Sequence, residues 1–107
     1  TGIYVSQYDY DAYGITYALE RSGSELTRFK IELNSRTITR DASTGNLANF
    51  IQSVLVHELG HTIWLADNPV TEQDSIMKYT RNRNIMISPT AYDIANVVAK
   101  YNKNGGK

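Results

Sequence analysis

Leu47-Ala48-Asn49-Phe50-Ile51-Gln52-Ser53-Val54-Leu55-Val56-His57-Glu58-Leu59-Gly60-His61 is the stretch on which the reading of this 107-residue chain turns. Leu47, Phe50, Ile51, Val54, Leu55 and Leu59 recur at steps of three and four, which predicts a helix from Asn46 onward with Ser43 and Thr44 as its caps. Both histidines of the chain lie in it, four apart, and Glu58 follows the first. At ~100° per residue, with Val54 as zero, His57 falls at about −60°, His61 at about −20° and Glu58 at about +40°. All three share the arc of Leu47, Phe50, Ile51 and Val54. Two imidazoles and a carboxylate on an apolar face cost desolvation free energy unless something pairs with them, and a divalent metal is the most economical partner. Imidazoles on adjacent turns can aim one nitrogen each at a common centre, while the carboxylate reaches a water there rather than the metal itself. The plain alternative is one half-buried histidine, one solvated one and an ordinary helix-forming Glu58.

A third ligand has to be a carboxylate, because the chain has no cysteine and no other histidine. Beyond His61 the acidic residues are Asp67, Glu72, Asp74 and Asp93. Zincins that take a glutamate from a following helix are disfavoured, since no Glu follows Glu72. In a continuing helix Asp67 would lie about 240° from His61, so it can ligate only if the helix stops and the chain doubles back. Asn68-Pro69 predicts a break nearby.

His57-Glu58-Leu59-Gly60-His61-Thr62-Ile63-Trp64-Leu65-Ala66-Asp67 resembles the extended HExxHxxGxxH/D motif of the metzincin zinc peptidases. The resemblance implies Zn2+ held by His57, His61 and Asp67, with Asp67 in the third-ligand place as in snapalysin-type members. Trp64 departs from the pattern, standing where the family has a glycine. A bulky residue at positive φ costs on the order of 1 to 2 kcal/mol, so either Trp64 is strained or the turn uses other dihedrals. Ten residues past Asp67, Ser75-Ile76-Met77-Lys78-Tyr79 resembles the family's Met-turn. It implies that Met77 floors the metal and that Tyr79, as in astacins and serralysins, ligates or stabilises an oxyanion. A core methionine and a surface tyrosine are the alternative. The specific resemblance spans residues 47–79, and the stretch from Ser88-Pro89 to Tyr101 resembles the C-terminal helix of the family more loosely. The family's early strand and helix are not found in the sequence.

Working outward, short strands are expected over residues 3–5 and 14–19, separated by a turn rich in tyrosine and aspartate. A clearer strand covers 26–33, where Phe29, Ile31 and Leu33 alternate with Lys30 and Glu32. Ser88-Pro89 predicts the start of a second helix, running through Ile94, Val97, Val98 and Tyr101 and closed by Asn104-Gly105-Gly106. Strands before helices give an α+β class: a small mixed sheet on one long active-site helix, then a short C-terminal subdomain ending in a helix, zincin-like by resemblance. Residues 1–107 read as one domain, with no repeat, linker or low-complexity tract.

Eleven Lys+Arg balance eleven Asp+Glu, so no positive field draws the chain to nucleic acid or an anionic membrane. No stretch approaches the ~18 apolar residues of a spanning helix. The chain starts at Thr1, and the expectation is a processed or a trimmed form, with room for a missing pre- or pro-segment, that is secreted or held at the cell surface. Together these readings give a zinc-dependent endopeptidase acting on internal peptide bonds of peptide or protein substrates, with Glu58 as general base and Tyr79 assisting. A pocket wall between residues 80 and 87, with Met86 and Ile87, suggests an apolar tenant. The rival is a catalytically impaired, zinc-binding peptidase-like module that binds peptides or a protein partner; zinc-dependent hydrolysis of another substrate class is a third reading.

Overall fold

In the computed structural model, which describes residues 1–103, the alternation in the third strand does what its pattern predicts. β3 (Glu25–Asn34) buries Ile31 and Leu33 on one face. It is the central strand of a three-stranded sheet, flanked by β1 (Gly2–Ser6) in parallel and β2 (Gly14–Ser22) antiparallel. The β2–β3 hairpin turns through Gly23, whose φ of 61° suits a residue without a Cβ. Both outer strands run longer than the sequence reading had them.

A short helix that the sequence reading did not contain, α1 (Ser35–Asp41), follows directly on β3. Asn34 caps it by accepting from the Arg36 N–H, and the same side chain donates to the carbonyls of Tyr10 and Ala12. Arg36 adds bonds to the carbonyls of Tyr8, Asp9 and Tyr10. The tyrosine- and aspartate-rich turn is therefore fastened by polar groups of the β3–α1 junction, together with the stacking of Tyr8 on Tyr10 and the edge-on contact of Tyr13 with Phe50.

α2 (Leu47–His61) lies across β2 and β3, joining Phe50 and Val54 to Ile31, Leu33 and Ile38 in the main core. Two expectations are corrected here. Ser43 and Thr44 are not its caps: Asn46 holds that place without a side-chain bond to the helix, its amide bonding Ser43 Oγ instead. The buried face is also rotated from the predicted one. It carries Phe50, Ser53, Val54, His57, Glu58 and Gly60, while Leu47, Ile51 and Leu59 are exposed at 44%, 38% and 36%. The apolar residues of α2 form a band broader than one face, and the polar residues that line the site select which part turns inward.

Residues 62–90 contain no helix or strand and fold around a second, smaller core of Leu65, Ile76 and Met77, covered by Val56, Met86 and Val97. α3 (Ala91–Lys103) begins after Pro89, not at it. Thr90 and Asp93 form a reciprocal cap, each accepting from the other's backbone N–H, and this sets the start in place of Ser88-Pro89. The expected closure at Asn104-Gly105-Gly106 lies outside the described residues. The whole is a small α+β fold, and among the described residues no helix is long and apolar enough to cross a membrane.

Candidate metal centre

The last two turns of α2 present His57 and His61 with ring centroids 5.0 Å apart and planes nearly perpendicular. Each ring is oriented by a backbone carbonyl: Ile76 O lies 2.9 Å from His57 Nδ1, and Leu65 O lies 2.9 Å from His61 Nδ1. A carbonyl can only accept, so both Nδ1 atoms carry hydrogen, and in the neutral rings both Nε2 atoms are bare lone pairs. Those two Nε2 atoms face one oxygen, Asp67 Oδ1, at 3.0 Å each.

Asp67 gets there because the chain doubles back immediately after α2. Thr62, Ile63 and Leu65 fold their N–H groups onto the carbonyls of Leu59 and Gly60. The reversal is made at Trp64, whose φ is 73°, earlier than the Asn68-Pro69 break expected from sequence. Of the two options left open for Trp64, the left-handed one is found, at a cost of about 1 to 2 kcal/mol. Three contacts offset it. The Trp64 indole N–H donates to Ser24 O at 2.7 Å, the ring leans on Tyr101, and Lys100 Nζ donates to Trp64 O. Asn68, also at positive φ, accepts from Tyr79 N and donates its own N–H to Met77 O.

The turn that carries Met77 lies directly beneath. A Cβ on Gly60 would come within 2.7 Å of Met77 Sδ, so the absence of a side chain at Gly60 is what lets the sulfur approach the helix between the two histidines. The turn is pinned from below by buried Asp93, which accepts from Ser75 Oγ and from Ile76 N at 2.8 Å. Burial opposes ionisation of Asp93, but the bonds from Ser75, Thr90 and Ile76 win and hold its pKa below the ordinary carboxylate value.

Glu58 is buried beside the imidazoles, its Oε2 3.9 Å from His57 Nε2, and its Oε1 accepts from Thr16 Oγ1 at 2.8 Å. Burial pushes its pKa up, and the Thr16 bond pulls the other way. The approach of β2 to α2 depends on Gly14, where a Cβ would crowd Glu32 O, Glu58 Cγ and Val54 Cγ1 at 3.0 to 3.1 Å. Tyr79 is half exposed; partial burial of its ring, and then the Asp67 carboxylate, raise its phenol pKa.

The donor set fits a zinc ion on its own chemistry. Three acceptors meet with no hydrogen between them, and only a proton or a cation relieves that contact. Burial depresses the His57 pKa, which disfavours a proton on that ring. Ligands about 2.0 to 2.1 Å from one tetrahedral ion lie roughly 3.3 Å apart, close to the separations found here. Ligand atoms of His57, Glu58 and His61 also lie within 4.8 Å of one another, but Asp67 Oδ1, 3.0 Å from both Nε2 atoms, is nearer than Glu58 Oε2, 3.9 Å from His57 Nε2.

The structure thus brings together His57, Glu58, His61, Asp67 and Tyr79, all on one cavity of about 530 Å³, with Met77 under the helix. It also brings residues that sequence reasoning missed: Thr16, Arg81 and Arg83. The expected apolar wall is absent from this cavity. Met86 packs into the second core, and the carbonyl of Ile87 accepts from Gln52. Arg81 is only 8% exposed and spends its donors on Ser53 Oγ, Ser53 O and Lys78 O. Burial, and then Arg83, bring its pKa down to about 10, and burial lowers that of Arg83 too. Compared with protein-family models, curated proteins and solved structures, the chain matches none.

Proposed function

We propose that this protein is a zinc-dependent endopeptidase of metzincin type, with His57, His61 and Asp67 holding the metal and Glu58 as general base. The observation that carries the reading is the convergence of two Nε2 lone pairs and a carboxylate oxygen at 3.0 Å, with both Nδ1 atoms committed to carbonyls. The HExxH spacing, the Met77 turn beneath Gly60 and the α+β arrangement of sheet and helix support it further.

When bound, zinc supplies a Lewis acid that polarises a carbonyl and brings the pKa of water towards ~7. The chain's own residues do the rest. Glu58, close enough to take a proton from a water between itself and His57, accepts it and returns it to the departing amine. Thr16 holds one Glu58 oxygen still, leaving the other for the proton. Tyr79, on the open side of the cavity, offers a phenol O–H to the carbonyl oxygen as it gains charge. The first residues of β2 line the same cavity, and as an outer strand β2 has main-chain groups with which an extended peptide can pair. What favours this over a zinc-binding module without turnover is Glu58, a buried carboxylate that a purely structural site does not require.

The test is zinc content with and without Glu58→Gln. About one zinc per chain, cleavage of a mixed peptide library by the unaltered chain, and bound zinc without cleavage in the variant are expected. Absence of zinc after reconstitution, or near-full cleavage by the variant, overturns the assignment.

A further inference from the structure

Arg81 and Arg83 stand in the wall of the cavity that holds the histidines, and neither joins any ion pair found among the described residues. The two are not equivalent. Arg81 is tied down at Nε and both Nη atoms by Ser53 and Lys78. Arg83 gives one Nη1 hydrogen to Tyr79 O and lays its guanidinium on the Tyr13 ring at 4.8 Å, and its buried Nε has no hydrogen-bond partner. That Nε is shut off from solvent and so from any ligand, but Nη2 is not and makes no hydrogen bond found among the described residues, which leaves it for an acceptor from elsewhere. Arg81 already lies in the field of the Glu58, Asp67 and Asp93 carboxylates, whereas no carboxylate is found acting on Arg83; an unmatched guanidinium calls for an anion, and its planar fork suits a carboxylate.

From this we infer that the cavity selects a substrate carboxylate, received by Arg83 within the field of Arg81, next to the bond that is cut. Resting on the peptidase reading, this replaces the apolar tenant with an acidic one. The carboxylate has two sources, an Asp or Glu side chain within a peptide or a free chain end, and the experiment separates them. Three peptides of one parent sequence are compared: Glu after the scissile bond with both ends capped, Gln at the same position with both ends capped, and the Gln peptide shortened to leave a free carboxyl terminus there. Binding is read by calorimetry on the zinc-loaded Glu58→Gln chain, and cleavage on the unaltered one.

The Glu peptide should bind and be cut about 10- to 100-fold better than its Gln twin. Preference for the free-terminus peptide instead assigns the pocket to chain ends. Arg83→Gln should shrink the winning preference to within about threefold, and Arg83→Lys, which keeps the charge but loses the fork, should retain part of it. If Arg83→Gln fails to fold, the Lys variant decides: an undiminished preference overturns the assignment to Arg83. Cleavage without preference for either carboxylate overturns the inference and leaves the peptidase intact. Selective, Arg83-dependent binding with no cleavage by the unaltered chain upholds the carboxylate site and overturns the peptidase.

Discussion

The two halves that meet at the cavity are built on different principles. Above it, the sheet and the face of α2 are held by apolar burial, with Ile31, Leu33, Ile38, Phe50 and Val54 in one cluster. Below it, residues 62–90 have three buried apolar side chains and otherwise hang on side-chain bonds to backbone, from Asn68, Thr90, Asp93 and Arg81. The upper half supplies groups whose position follows from a helix: His57, Glu58 and His61. The lower half supplies Asp67, Tyr79, Arg81 and Arg83, whose positions follow from loops. The helix thus fixes the spacing of the two imidazoles and Glu58, and the polar-stapled half brings Asp67 to them and supplies the groups that close the cavity.

The sharpest way to break that contrast is at Asp93. Replacing it by Ala strands the Ser75 hydroxyl and the Ile76 N–H in a buried place and frees the carbonyl that orients His57. The expected loss is on the order of 3 to 5 kcal/mol, comparable to truncating a core residue such as Ile31 to Ala in the upper half. Urea unfolding of both variants measures it, and a loss under about 1 kcal/mol would show that the lower half does not depend on this staple. The carboxylate's folded pKa is depressed, so its contribution is present above the unfolded value of about 3.9 and is lost as pH falls through the lower folded value. The stability gap between the unaltered chain and Asp93→Asn should therefore close below about pH 3.9.

The same contrast explains what could be read from the sequence. Periodicity reports on apolar faces, so β3 and α2 were legible, and the 57-58-61 spacing followed from helix geometry alone. Leu47, Ile51 and Leu59 misled, because hydrophobicity does not say which part of a broad apolar band turns inward when Ser53, His57 and Glu58 also face the interior. α1 was missed since its seven residues carry little periodicity, and its cap, Asn34, was read only as the end of a strand. Arg81 and Arg83 were passed over for a different reason. Nothing local distinguishes a solvated arginine from one folded over a cavity, and that choice is made chiefly by Ser53 and Tyr13, both distant in sequence, with the nearby Tyr79 carbonyl.

Gly14 tests the packing of β2 on α2 within the upper half. A valine there must push against Glu32 O, Glu58 and Val54, and should cost about 1 to 3 kcal/mol by overpacking. By prising β2 from α2 it should also weaken the Thr16 bond to Glu58, so turnover falls more than zinc affinity does. An unfolding midpoint equal to that of the unaltered chain would mean that β2 does not lie so close.

The smallest effect, and the one that sharpens the comparison most, is at Trp64, where the ordered helix hands over to the stapled half. Its backbone is in the left-handed region, and its side chain is anchored by Ser24 O and Tyr101. Trp64→Ala loses both anchors and keeps the backbone cost. Trp64→Gly loses the same anchors but removes that cost, so glycine should be the more stable of the two by about 1 to 2 kcal/mol. Because the glycine keeps the reversal that returns Asp67 to the histidines, its zinc affinity should stay nearer the unaltered chain's than the alanine's does. Thermal unfolding and zinc competition on the pair measure both quantities. Equal stability of the two variants would show that residue 64 does not hold a positive φ in solution, and the path by which Asp67 reaches His57 and His61 would then have to be a different one.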